Sequence, residues 1–174
     1  MQKKYKILIF WLIVFITLIY LPAMLIGWSG YRFNSTISMP KGIYKLEKTV
    51  DIERGDIVEI CLPDNIANEG IQKGYIHSGS CSNGSIPLAK KVIALPGDYV
   101  VMNEAGITVN GQFYDYPQQF FDGFGHKIIP KNVNGKIDGF IVVGVGHKLS
   151  WDSRYYGEIP KNSIKGILMP IWTY

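Results

Sequence analysis

Two short stretches carry residue types that can do covalent chemistry together. Ser-Met-Pro-Lys-Gly at 38–42 offers a hydroxyl in a backbone constrained by Pro40 and Gly42. Lys-Lys-Val-Ile-Ala-Leu-Pro-Gly-Asp at 90–98 offers a lysine at the head of an apolar run. A serine attacks an acyl carbon only when a base takes its proton. A lysine can be that base only as the neutral amine, which requires burial in apolar surroundings. Lys90 and Lys91 are adjacent, so on a strand they face opposite ways. One inward-facing amine would be desolvated; the residues alone leave open which one.

The neighbours of Ser38 fit the same chemistry. If residues 34–40 are extended, Thr36 and Ser38 share a side, and Pro40 biases Met39 towards extended geometry. The Thr36 hydroxyl and the Ser38 backbone N–H would then form an oxyanion hole, while Met39 would point the other way, as an apolar plug towards a membrane. The alternative is an ordinary polar loop. A third stretch, Ser150-Trp151-Asp152-Ser153-Arg154-Tyr155-Tyr156-Gly157, puts Ser150, Asp152 and Arg154 on one face if extended. Asp152 and Arg154 would pair, either as a structural support or as a weak surface salt bridge. His77, His126 and His147 lie outside these stretches and read as ordinary surface or loop residues. No metal-ligand cluster is visible, and no cofactor is expected.

An element must hold this chemistry somewhere in the cell. Residues 7–28, ILIFWLIVFITLIYLPAMLIGW, contain no charge and are long enough to cross a bilayer as a helix. Lys3, Lys4 and Lys6 precede them and only Arg32 follows closely, which predicts a cytoplasmic N-terminus. The expected division is 1–28, cytoplasmic N-terminus and transmembrane anchor, and 29–174, an extracytoplasmic domain in the periplasm or outside the cell. A cleaved signal peptide is the alternative, but it has a shorter apolar region and a small-x-small cleavage site. Pro22 is expected to kink the helix, and Trp11, Tyr20 and Trp28 to mark its interfaces. The net charge of +4 falls to about +1 without the three N-terminal lysines, which excludes a nucleic-acid footprint. Cys61 and Cys81, an even pair on the oxidising side, predict one disulfide, with two buried free thiols as the alternative. Their spacing excludes a CxxC metal or redox site.

The rest of the chain reads as short strands broken by turn signals. Strands are expected at 43–50, 57–62, 88–95, 99–103, 107–114 as a hairpin about Asn110-Gly111, 140–146 and 166–174. Pro170 would demote the last to a sheet edge. Residues 29–42, 64–87 and 115–138 read as turns and loops. Beyond the anchor no long segment has a helical period, so the fold class is mainly β, with an antiparallel sheet domain after one N-terminal transmembrane helix.

Four stretches together resemble the boxes of bacterial type I signal peptidases, in that family's order: Thr36 to Pro40, Gly55-Asp56-Ile57-Val58, Lys90 to Asp98, and Ser150 to Gly157. By position in its box, Lys90 corresponds to the general base and Lys91 to the basic residue after it. Ser38 corresponds to the nucleophile, Thr36 to the oxyanion-hole hydroxyl, Ser150 to the serine orienting the lysine, and Asp152 and Arg154 to the supporting ion pair. A narrower resemblance is to conjugative transfer peptidases of the TraF type, carried by Asn34-x-Thr36-x-Ser38-x-Pro40-x-Gly42-x-Tyr44, the two cysteines around Gly74-Tyr75, and Ser85-Ile86-Pro87-Leu88. The chain departs from a housekeeping signal peptidase at 40–42, where Pro-Lys-Gly replaces Pro-Thr, and at Thr36, where many relatives have serine. The resemblance implies a signal-peptidase-like fold in the inner membrane and a Ser/Lys endopeptidase. Its partners would be a bilayer, a membrane-inserted precursor such as a pilin with small residues before the cut, and components of a conjugation machinery. General processing of many preproteins is the alternative. A non-catalytic tethered β module and a soluble self-cleaving repressor-type protease are two further readings. The first needs neither Ser38 nor Lys90; the second lacks a DNA-binding domain here and does not call for an anchor.

Overall fold

The computed structural model describes residues 2–48 and 51–174, without the side chains of 2, 3, 23 and 25–28. The chain opens with α1 (Gln2–Trp28), which continues through Pro22. Its Lys4–Pro22 stretch is apolar, long enough to cross a membrane, and not buried against the rest of the described residues. Trp11 and Tyr20 are exposed on it; the side chain of Trp28 lies outside the described residues.

Ten strands follow. β1 (Tyr31–Asn34), β2 (Gly42–Glu47), β3 (Ile57–Ile60), β4 (Leu88–Ala94), β9 (Ile141–Val143) and β10 (Ile164–Thr173) form one antiparallel sheet in the order β1-β2-β10-β3-β4-β9. β5 (Tyr99–Asn103), β6 (Gly106–Val109), β7 (Gln112–Tyr114) and β8 (Val133–Lys136) form a second, in the order β7-β6-β5-β8. The mainly β, antiparallel reading is therefore right, and Asn110-Gly111 is the expected hairpin turn between β6 and β7.

The structure corrects several boundaries. β1 lies inside the stretch read as turns, and β8 inside 115–138. The 64–87 loop contains α2 (Asp64–Gln72), a short helix that buries Ala67 and Gly70; two turns are too few for its period to stand out among four glycines. Of the strand expected at 43–50, Thr49 and Val50 lie outside the described residues. β10 is an interior strand rather than an edge. Pro170 is tolerated because β3 pairs only as far as Ile167, so that half of β10 has β2 alone as a neighbour and bulges there.

Two clusters of buried side chains support the site. One gathers Val58, Ile60 and Val92 of the large sheet with Ala67 of α2, Trp151 and Ile159; the other sandwiches Ile93, Ile141 and Val143 against Val100, Met102 and Ile107 of the small sheet. Each large aliphatic side chain among them contributes about 1.5–3 kcal/mol by leaving water. A polar joint ties the sheets: Arg54 donates to both carboxylate oxygens of Asp98, which also accepts from the Leu95 amide and Asn110 Nδ2. Burial pushes the Asp98 carboxyl up, but these hydrogen bonds outweigh it and hold it below the usual carboxylate range. Cys61 at the end of β3 is bonded to Cys81, closing a loop over α2.

Candidate active site

Lys90 sits in β4 opposite Val58 of β3 and is 3% exposed, while Lys91 is only partly buried. The strand thus turns one lysine into the protein and leaves the other near the surface. The Lys90 amine and Ser150 Oγ hydrogen-bond at 2.5 Å, and Ser150 is itself buried. Desolvation lowers the Lys90 pKa to about 8; the nearby Asp152 charge pulls it up and Arg154 pulls it down, and burial dominates. A neutral amine is thereby accessible near physiological pH.

Ser38 lies on the turn between β1 and β2, which is bent rather than extended as expected. The bend comes from Asn34 at the end of β1. Its Oδ1 accepts from the Thr36 amide at 3.1 Å and the Thr36 hydroxyl at 2.7 Å. Its Nδ2 donates to the carbonyls of Thr36, Met39 and Pro40. Tyr44 Oη adds a 2.7 Å bond to the Pro40 carbonyl. Short polar side chains bond local backbone in this way in place of ladder hydrogen bonds. Thr36 Oγ1 and Ser38 Oγ still meet, at 3.1 Å, because the turn brings them together. Met39 is 2% exposed and packs inwards, so it is a core residue and not a plug towards a membrane.

The loop after β9 joins the two halves of the site. A Cβ at Gly144 would overlap Ser150 Oγ, lie 2.6 Å from Ser150 Cβ and lie 3.2 Å from Ser38 Cβ. Gly144 is therefore the contact shared by both serines, and only a residue without a side chain fits. Gly146 donates its N–H to the Ser38 carbonyl at 3.0 Å, and a Cβ there would overlap Ile37 O. Neither glycine was singled out from the sequence; two glycines closing an apolar strand are the signal of close backbone approach that was available.

Asp152 and Arg154 do not lie on an extended segment. Asp152 caps α3 (Ser153–Tyr156), and the pair is wholly buried, with Arg154 Nε and Nη2 at 2.9 and 2.8 Å from the two carboxylate oxygens. Asp152 Oδ2 also accepts from the Gly144 amide at 2.9 Å, and Arg154 donates to the Pro117 carbonyl at 3.2 Å. Ser153 Oγ accepts from Val142 N in β9. The ion pair thus holds Gly144, which in turn sits between Ser38 and Ser150.

Ser38, Lys90 and Ser150 all line one cleft of about 400 Å³, together with Phe33, Asn34 and Ile86 to Ala89. His77 and His147, read as ordinary surface or loop residues, also line it. Among the described residues no group of His, Cys, Asp or Glu is arranged to hold a metal ion.

The sequence has relatives. The family profile described as Signal peptidase, peptidase S26 matches residues 5–173. The chain is 34% identical over 147 residues to "Conjugal transfer protein TraF" of Agrobacterium fabrum, covering 83% of this chain and 84% of the relative. It is 35% identical over 153 residues to "Probable conjugal transfer protein TraF" of Sinorhizobium fredii, with 83% and 78% covered. A "Probable signal peptidase I-2" of Synechocystis is 26% identical over 140 residues, covering 78% of this chain and 53% of that one. With a profile match across nearly its whole length and a TraF relative of similar size, the chain belongs to the signal peptidase family, peptidase S26.

Proposed function

We propose that this chain is a membrane-anchored serine endopeptidase that removes a leader from an exported precursor of a conjugative transfer system. The observation that carries the reading is a buried lysine amine, hydrogen-bonded to Ser150 and lowered to about 8, in the same cleft as Ser38. Lys90 takes the Ser38 proton, and Ser38 Oγ attacks the scissile carbonyl. Lys90 returns the proton to the leaving amine, and water then resolves the acyl-enzyme, activated by the same base. Thr36 Oγ1 and the Ser38 amide are the oxyanion donors. In the resting site the Thr36 hydroxyl donates to Asn34, so it rotates towards the oxyanion as charge develops. Ser150 holds the amine, and Asp152 with Arg154 supports the loop behind it.

The ladder leaves room for the substrate. β1 is the outer strand of its sheet, and β4 pairs with β9 only from Lys91 onwards. An extended peptide can hydrogen-bond into these open edges while its scissile bond meets Ser38. The basic N-terminus and the apolar α1 support a cytoplasmic N-terminus, an anchor at 1–28 and a peptidase domain at 29–174 on the outer face of the inner membrane. The TraF relatives, named as conjugal transfer proteins, support a dedicated precursor of a conjugative transfer system, which we take to be a pilin, over the broad preprotein range of a housekeeping enzyme.

The test is a cleavage assay in detergent with mass spectrometry of the products. Wild-type, Ser38→Ala and Lys90→Ala proteins each meet a pilin precursor and a generic preprotein. Cleavage of the pilin precursor alone, lost in both variants, is expected; cleavage by Ser38→Ala protein overturns the mechanism. Lys90→Arg fails as well, since a guanidinium does not deprotonate.

A further inference from the structure

A second recess of about 280 Å³ continues from the cleft and shares the Phe33, Asn34 and Ile86–Ala89 walls with it. Its floor is not apolar. Arg32 of β1 and Glu59 of β3 meet there, with Arg32 Nε 2.7 Å and Nη2 3.4 Å from the two carboxylate oxygens. The register places both on the face that carries Tyr44, Leu168 and Ala89, the face turned into the recess. Glu59 is nearly buried, whereas the Arg32 side chain is 38% exposed.

This pair has unused hydrogen-bonding capacity of both kinds. Arg32 Nη1 donates to the Tyr31 carbonyl, which leaves two of its five N–H groups without a partner among the described residues. Among the described residues Glu59 accepts only from Arg32, and a carboxylate has about four acceptor sites. A carboxamide matches such a pair: its oxygen accepts from Arg32 and its NH2 donates to Glu59. A carboxylate would face Glu59, an ammonium would face Arg32, and a large apolar group would strip water from both without replacing its bonds.

We propose that Arg32 and Glu59 form a specificity subsite that selects asparagine or glutamine at one position upstream of the cleaved bond. The proposal rests on the peptidase reading above and adds a substrate preference to it. Side chains of an added strand alternate, so a residue on the same face as the one lodged near Ser38 enters this recess. Two added hydrogen bonds correspond to roughly a 10- to 100-fold preference over alanine.

The experiment uses the full chain in detergent and precursors in which a single Gln, Asn, Ala or Leu is walked through the five positions before the cut. One position is expected at which Gln or Asn raises kcat/KM about 10-fold or more over Ala, with Leu below Ala. The double variant Arg32→Met, Glu59→Leu replaces the ion pair by apolar groups of similar volume, an exchange that folded proteins tolerate. It is expected to unfold as cooperatively as wild type and to rank Leu above Gln at that position. Equal rates for Gln, Ala and Leu at every position, or an unchanged ranking in the folded double variant, overturn the proposal. Affinities of the same precursors for Ser38→Ala protein separate the two readings. If wild type cleaves none of them, a Gln preference in binding sustains the subsite while the peptidase reading falls, and equal binding removes the subsite too.

Discussion

The Lys90 amine and the Ser150 hydroxyl are 2.5 Å apart, and both are buried. Burial lowers the lysine pKa, and the hydrogen bond aims the amine. These two effects separate on mutation. Ser150→Ala removes the aim and leaves the burial, so kcat is expected to fall roughly 10- to 100-fold, less than the roughly 10²–10⁴-fold that loss of the general base itself costs. The kcat/KM profile should keep its rising limb near pH 8 in both proteins, because neutral Lys90 is the working form in the proposed mechanism. A variant whose limb moves to the ordinary lysine range would show that Ser150, not burial, sets the proton affinity.

Lys90 should be a liability to the fold. Its folded-state pKa, about 8, is below that of an unfolded lysine, so the unfolded chain binds more protons between the two values. Stability from this group therefore rises with pH across that window. Below about pH 8 the charged amine burdens the native state fully. Lys90→Met keeps the length and discards the charge. At pH 7 it is expected to raise stability by about 1–3 kcal/mol while abolishing cleavage. Thermal unfolding at pH 7 checks this, and a lower Tm than wild type would contradict it.

Gly144 controls the distance between the two serines. Gly144→Ala drives a methyl into Ser150 Oγ and against Ser38 Cβ. Overpacking of this kind costs about 1–3 kcal/mol. The activity loss should be larger than the stability loss implies, at least about 100-fold, because displacement of catalytic groups by an ångström costs that much. Circular dichroism melting together with kcat on one precursor separates the effects. An active, destabilised Gly144→Ala protein would show that the glycine serves packing alone.

The sequence carried the site residues further than it carried their supports. Ser38 with Thr36, the Lys90–Lys91 pair and the Asp152–Arg154 pair stand out by their chemistry, whereas the choice of Lys90 over Lys91 and the role of Ser150 come from the resemblance to the signal peptidase boxes. Residues 88–94 and 99–103 are apolar runs ended by turn signals, and both form strands. Asn34 enters the sequence reading only as part of a motif, since an Asx turn looks like any polar loop until its five hydrogen bonds are seen. Glu59 was hidden inside an expected strand, where its burial depends on Arg32, 27 positions away. Gly144 matters only because β9, the Ser38 turn and Ser150 converge, which is a property of tertiary structure. The helical α2 and α3 were missed because one or two turns give no measurable period.

The Cys61–Cys81 bond offers the last separation of fold from catalysis. It closes a loop that carries α2 and Tyr75–His77, and Cys81 lies shortly before the Ile86–Ala89 wall; Ser38, Lys90 and Ser150 are all outside the loop. Cross-linking of this span stabilises by about 3 kcal/mol in the chain-entropy account. Cys61→Ser, Cys81→Ser protein should therefore melt at a lower temperature. A loosened wall holds the substrate strand less well, so KM should rise several-fold more than kcat falls. The measurement is steady-state cleavage of one precursor by oxidised wild type, wild type with a reductant, and the double serine variant, at a temperature where all three are folded. Reduced wild type should match the variant. A lower Tm with KM unchanged would confine the disulfide to stability, and a collapse of kcat at constant KM would mean that the wall supports the Lys90 strand itself.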